Sequence, residues 1–234
     1  MEYAMQASML AAAPPGICGA KARRPAPDGL DVLEQFGCTI IVRRSHEIYL
    51  RDEPTEFCWR ILTGCVRTVQ LMEDGRRQVN EFHWPGDLLG MDDLGTHYCD
   101  AEAVTDVSLR RYPRRIVEAQ ATNHVALALW LRTMTLANLR RAHQQITLLG
   151  RKTAVEKIAS FLLQMDRRLA PMDRRLVQLP MSRMDIADHL GLSIETVCRS
   201  LTHLQREGTL GILRSGIELR DRIALLEMAC GSRT

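Results

Sequence analysis

The stretch Ser182–Glu207, SRMDIADHLGLSIETVCRSLTHLQRE, leaves few folds open. One apolar-periodic run (Ile186, Ala187, Leu190) precedes Gly191 and a second (Val197, Leu201, Leu204) follows it. That pattern predicts two short helices joined by a tight turn. Ala187 is small enough to let the second helix approach the first. Gly191 can take φ > 0 without a Cβ clash. Val197 supplies a β-branched filler for the angle between the helices, and Ser193 is a good N-cap for the second one.

The first turns of that second helix carry Ser193, Ile194, Glu195, Thr196, Cys198 and Arg199. Glu195 and Arg199, four residues apart, share one helical face. A carboxylate accepts from cytosine N4, and a guanidinium binds guanine O6 and N7 in the major groove. An isolated Glu/Arg pair at this spacing is usually an ordinary exposed ion pair. Inside a helix-turn-helix, at the end of the helix that enters the groove, base readout is the stronger reading. Arg183, opening the first helix, completes this part of the expected DNA-binding set.

The chain has 234 residues, 46% apolar and 25% charged, which suits one large or two modest globular domains. Net charge is +3, but the excess is uneven: residues 151–234 hold fourteen Lys and Arg against ten Asp and Glu, whereas residues 1–150 hold seventeen against eighteen. The basic excess sits with the reader, as phosphate contact requires. Seven scattered cysteines (Cys18, Cys38, Cys58, Cys65, Cys99, Cys198, Cys230) with no CxxC pair argue against a disulfide scaffold and a zinc site. They suit idle thiols in a reducing cytosol, hence a cytoplasmic protein. No apolar run is long enough for a membrane span. The Ala-, Pro- and Gly-rich start, with Glu2 and no basic region, reads as a mobile tail over residues 1–28 rather than a secretory signal. No nucleophile–base pair, HExxH or phosphate loop suggests an enzyme, and no resident cofactor is expected.

Residues 29–113 read as β-structure. Short apolar runs (Cys38–Val42, Trp59–Leu62, Val66–Leu71, Val79–Trp84, Val107–Tyr112) are separated by turn residues, including Gly64 and the hairpin signal Glu73-Asp74-Gly75-Arg76. Their spacing suggests a small antiparallel roll or jelly-roll, with a generic β-sandwich still open. Residues 114–150 change pattern: Val125, Leu129, Leu136, Leu139 and Ile146 keep one seam along a long helix, which reads as a dimerisation helix, loosened by Arg132 and His143. Residues 151–234 form the DNA-binding domain. Val155, Ile158, Ala159, Leu162 and Leu163 make a helix face ended by Pro171, and Val177–Pro180 reads as a short strand. Leu210–Leu213 and Ile217–Leu219 flank Arg214-Ser215-Gly216 as a wing, its Arg214 placed for a phosphate contact. The fold class is thus α+β: roll, long helix, winged helix-turn-helix.

This order of parts resembles the Crp/Fnr superfamily of bacterial transcription regulators, over roughly residues 30–225. The carrying strings are LLGRKTAVEKIASFLL (148–163), LPMSRMDIADHLGLSIETVCRSLTHLQREG (179–208) and FHWPGDLLGMDDLGTHYCDAEAVTD (82–106), most similar to the FixK branch. The resemblance implies a homodimer that binds double-stranded DNA, activates by recruiting RNA polymerase, and serves low-oxygen control in nitrogen-fixing and related bacteria. It also implies a TTGAT-N4-ATCAA-like palindrome with Glu195 and Arg199 on the central C·G pair. The branch's E-x-x-S-R core stands here as Glu195-Thr196-Val197-Cys198-Arg199, so Cys198 replaces the Ser that contacts thymine in the branch.

Two further departures concern the roll. The family's cyclic-nucleotide pocket has G-E-[LIV] followed by R-[ST]-A, its Arg pairing with the cyclic phosphate. Here Gly86-Asp87-Leu88 is followed by Tyr98-Cys99-Asp100-Ala101-Glu102-Ala103, with no Arg, and Asp92, Asp93, Asp100 and Glu102 would repel a phosphate. An Fnr-type cluster needs closely spaced N-terminal cysteines, whereas Cys18 and Cys38 are far apart. A sensor gated by haem, a cluster or a small ligand remains the alternative, with His46, His83, His97 and the cysteines as candidate ligands. Cys198, between two base-reading residues, is a candidate redox site as well as a merely tolerated small side chain.

Overall fold

The computed structural model describes residues 29–91, 95–169, 176–214 and 216–231. The tail with Cys18, and Asp92, Asp93, Pro171 and Ser215, lie outside the described residues. After a one-turn helix α1 (Asp31–Glu34), eight strands follow: β1 (Cys38–Val42), β2 (Glu47–Tyr49), β3 (Phe57–Thr63), β4 (Val66–Leu71), β5 (Arg77–His83), β6 (Leu88–Leu89), β7 (Asp100–Ala103) and β8 (Val107–Pro113). They make two antiparallel four-stranded sheets, β1-β8-β3-β6 and β2-β7-β4-β5. Successive strands alternate between the sheets until the β4–β5 hairpin, so the order is that of a jelly roll, and the open alternative closes.

Alternation of side chains explains the interior. Tyr49, Trp59, Ile61, Val66, Leu89, Ala101 and Leu109 are buried between the sheets. In β7 the Asp-Ala-Glu-Ala alternation turns Ala101 and Ala103 inward and leaves Asp100 and Glu102 half-buried. Gly64 makes the β3–β4 turn at φ +90°, where a Cβ would meet the Asp106 carbonyl at 2.5 Å. The Asp74-Gly75 hairpin lies between β4 and β5, with Gly75 at φ +82°.

The expected single long helix is two helices, α2 (Arg114–Asn123) and α3 (Val125–Arg151), separated at His124, whose backbone is extended. The break lets each helix bury its own face. Val117 of α2 and Leu127 and Trp130 of α3 close over Leu30, Leu33, Cys58 and Tyr112 on the outside of the roll. The seam residues are left outward: Val125, Leu129, Leu136, Leu139 and Ile146 are all more than half exposed.

The C-terminal domain comprises α4 (Ala154–Leu169), β9 (Leu176–Val177), α5 (Arg183–Leu190), α6 (Ile194–Arg206), β10 (Leu210–Leu213), β11 (Gly216–Leu219) and α7 (Arg222–Ala229). Ile158, Leu162, Ile186, Leu190, Leu201 and Leu204 meet in its core, and β10-β11-β9 form its small sheet. This core runs on into the roll: Cys65, Val69, Val79, Phe82 and Trp84 belong to the same buried cluster.

Candidate nucleic-acid interface

Local chemistry sets both helix starts and the turn between them. Ser182 caps α5 with its hydroxyl on the Asp185 N–H, while the Asp185 carboxylate accepts from the Ser182 N–H at 3.0 Å, a reciprocal capping box. Gly191 ends α5 in the left-handed region (φ 59°, ψ 47°), its N–H donating to the Ala187 carbonyl. Two residues on, the Ser193 hydroxyl accepts from the Thr196 N–H and starts α6. Ala187 of α5 and Val197 of α6 are completely buried in the core the two helices share.

With Val197, Leu201 and Leu204 facing inward, α6 presents Glu195, Cys198, Arg199, Thr202 and His203 to solvent, and Ile194 and Thr196 are half-buried at its start. No ion pair joins Glu195 to Arg199; Arg199 Nε lies 3.4 Å from the Glu195 carbonyl oxygen instead. Glu195 is held below its ordinary value by its own backbone N–H and by the Ser193 hydroxyl, so it is ionised at neutral pH. Two opposite charges therefore stand side by side on an open face, each with hydrogen-bonding capacity unspent.

Arg214 is exposed at the tip of the β10–β11 wing. Arg183, expected as a further DNA contact, is half-buried at the first position of α5. Burial lowers its pKa, and the Cys198 sulfur lies within its electrostatic reach. Both arginines line one cleft of about 1130 Å³ between the wing side of the domain and the roll, with Gly64, Trp84 and Gln178 on its walls.

The roll presents the opposite picture. Tyr49 and His97 stack at 3.8 Å between ring centroids, and Tyr49 and Trp59 at 5.0 Å, inside the sheets. Asp87, which stands at the Glu position of the family's G-E-[LIV] segment, accepts from the Trp84 N–H at 2.9 Å and pairs with Arg168 of α4 at 2.5 Å. Asp100 accepts from the Arg51 N–H at 2.7 Å, and Glu102 pairs with Arg67 at 2.6 Å. Glu102 is thus not the free repelling charge expected from the sequence, because Arg67 neutralises it. These residues do not fit a cyclic nucleotide: the carboxylate is committed elsewhere and no arginine stands at the phosphate position.

The candidate haem and cluster ligands are likewise dispersed. His46 is exposed and His83 and His97 are buried. Burial pushes the Cys58 and Cys65 thiols up to about 12, which keeps them protonated. Among the described residues no three His, Cys, Asp or Glu side chains gather as a metal site, and no helix is long and apolar enough to cross a membrane.

Sequence reasoning missed the groups that hold α5 against the roll: Arg67, Arg77, Asp185, Asp188 and His189. The Ser182-x-x-Asp185 spacing carried a capping-box signal. Nothing local announced the partners of Asp185, which are 108 and 118 residues away.

A jelly roll joined through a seam-bearing helix to a winged helix-turn-helix with an open reading helix defines a two-domain, DNA-binding transcription regulator. The comparisons agree on its parts: the Crp-like helix-turn-helix domain matches residues 156–228 and the cyclic nucleotide-binding domain residues 40–124. The chain belongs to the Crp/Fnr family of DNA-binding transcription regulators, which are not enzymes. It is 40% identical to the nitrogen fixation regulation protein FixK of Azorhizobium caulinodans, over 90% of this chain and 85% of that protein. It is 41% identical to FixK of Rhizobium meliloti, over 75% of each. The solved structure of FixK2 from Bradyrhizobium japonicum matches with a TM-score of 0.78 at 44% identity, covering 82% of this chain and 96% of that one.

Proposed function

We propose that this protein is a cytoplasmic homodimer that binds a TTGAT-N4-ATCAA-like palindrome and activates transcription by recruiting RNA polymerase, in low-oxygen-linked gene control. The observation that carries the reading is the pair of unspent charges, Glu195 and Arg199, on the solvent face of α6. Ser193, Ile194, Thr196 and Cys198 frame that pair, and Arg183 and Arg214 flank it as phosphate contacts. The exposed seam Val125, Leu129, Leu136, Leu139, Ile146 supports the dimer, since a second copy of α3 would cover those five apolar side chains. Two half-sites about one DNA turn apart require two readers on a two-fold axis. The palindrome and the oxygen link follow from the resemblance of the sequence strings to the FixK branch, and the likeness to nitrogen fixation regulation proteins supports a regulator of that kind. Binding of the intact protein to a duplex carrying that palindrome, against one with both central C·G pairs inverted, tests the reading; equal affinity for the two would overturn it.

Cys198 gives this reader a second capacity. Its thiol is exposed between Glu195 and Arg199. Peroxide converts the thiolate to a sulfenic acid with release of hydroxide, adding a polar oxygen where α6 meets DNA. Peroxide should weaken binding by the unsubstituted protein and leave Cys198→Ser unaffected. Equal sensitivity of the two would remove Cys198 from the account.

A further inference from the structure

A branched polar contact lies away from the reading face, where the β4–β5 hairpin of the roll grips α5. The Asp185 carboxylate is divided between two tasks. One oxygen caps α5 through the Ser182 N–H and hydroxyl, at 3.0 and 2.8 Å. The other accepts from Arg67 of β4 at 2.8 Å and from Arg77 of β5 at 2.6 Å. Arg77 also reaches Asp188, one turn further along α5, at 2.9 Å. Arg67 is braced from behind by Glu102 of β7. At the end of α5 the His189 ring nitrogen Nδ1 is 3.0 Å from the Val79 carbonyl, and the His189 carbonyl accepts from Gln145 of α3 at 2.7 Å. Phe82 of the roll and Phe161 of α4 pack on the same imidazole.

Asp185 is 4% exposed. Charges held this far from water gain little net stability over apolar side chains of the same volume. What such a network supplies is direction: each N–H···O⁻ contact constrains angle as well as distance. The helix it grips is the one on which the reader rests, because α5 and α6 share the Gly191 turn and the buried core that holds Ala187 and Val197. The same helix is tied to α3 through Gln145. The hairpin therefore sets where α6 stands relative to the seam of the dimer.

We infer that Arg67 and Arg77 are positioning residues for DNA reading, which act through Asp185 and Asp188 to set the separation and angle of the two recognition helices in the dimer. The inference rests on the reading of α6 as a dimeric DNA reader. It makes the roll a rigid spacer for that reader, with the Arg67–Asp185–Arg77–Asp188 chain as its fastening.

Arg77 and Asp188 are the clean members to test, since Asp185 also caps a helix and Arg67 also pairs with Glu102. Arg77→Gln, Asp188→Asn and the double variant are compared as intact dimers, with folded dimer measured by sedimentation and circular dichroism. Binding is read on palindromes with the four-base spacer and with spacers one base shorter and longer. Each single variant is expected to bind the four-base palindrome about 5- to 100-fold more weakly per folded dimer. Discrimination against the wrong spacers should fall, and preference at the central C·G pair should stay. The double variant should be no weaker than Arg77→Gln alone, because Asp188→Asn removes only a contact that Arg77→Gln has already removed. Unchanged affinity and spacer discrimination, additive losses, or loss of the folded dimer in both singles would assign the pair to stability and overturn the inference. Arg199→Ala in the same assay separates the two claims, because failure of the reader changes base preference and failure of the fastening changes spacer preference.

Discussion

The roll and the winged helix handle their charged groups in opposite ways. In the roll, Asp87, Asp100 and Glu102 are each taken up by a partner within the chain, and the interior is filled by Tyr49, Trp59 and His97. On α6, Glu195 and Arg199 stand four residues apart without forming an ion pair and face solvent. In the roll those three carboxylates are already committed within the chain, whereas the charges of α6 keep their capacity for an outside partner. On the proposed reading, recognition belongs to the reader and the roll supports it.

Substitutions should separate the two regions. Trp59→Ala, which empties a buried site in the roll, should cost about 3–5 kcal/mol of stability, while the surviving folded protein keeps its base preference. Denaturant titration with binding per folded dimer checks this, and an altered base preference would break the contrast. Next in size is the seam. Leu129→Asp with Leu136→Asp places charges where two α3 helices would meet, and should give monomers that bind the palindrome about 10²-fold or more less tightly. Sedimentation and mobility shift read it, and an intact dimer would remove the seam from α3.

A smaller effect concerns pH. His83 and His189 are buried at the roll–reader contact, and burial holds both below the ordinary imidazole value of 6.5. Glu81, Asp87, Arg168 and Arg141 surround His83, and Glu81 faces His189. The unfolded chain thus binds protons first. Stability is fully present above about 6.5 and is lost as pH falls below that value through the folded-state values. Asp185 behaves differently: burial would raise its pKa, but the Ser182 hydrogen bonds and the charges of Arg67 and Arg77 hold it below 3.8. Its contribution is lost only in stronger acid. An unfolding midpoint that stays flat between neutral pH and 5 would contradict the neutral burial of the two imidazoles. Smallest of all is the expected response to cyclic AMP. A ligand that binds the native state raises stability with its concentration, and no rise in thermal midpoint is expected here.

Much of this contrast was legible in the chain itself. The reader's local chemistry is short-range: Ser193, Gly191, Ala187 and Val197 act within a turn or two of one another, so pattern reveals them. The runs Cys38–Val42 and Val66–Leu71 appear as β1 and β4 with those bounds. The short strands β2, β6 and β7 are not visible in the sequence, because two to four residues hold too little periodicity. The break at His124 carries no proline or glycine to announce it. The fastening of α5 was invisible for a different reason. Arg67, Arg77, Asp185 and Asp188 meet across more than a hundred residues, and each alone looks like a solvated surface charge.

The most direct test of the central claim is quantitative binding of Arg199→Ala to the palindrome and to all single substitutions of its central C·G pairs. Arg199 is exposed, so the variant should keep the parent's stability within about 0.5 kcal/mol. It should lose about 1–3 kcal/mol of discrimination at that one position and little elsewhere. A variant that discriminates there as the parent does, or that weakens uniformly on every sequence, would mean that the open charges of α6 do not read the base.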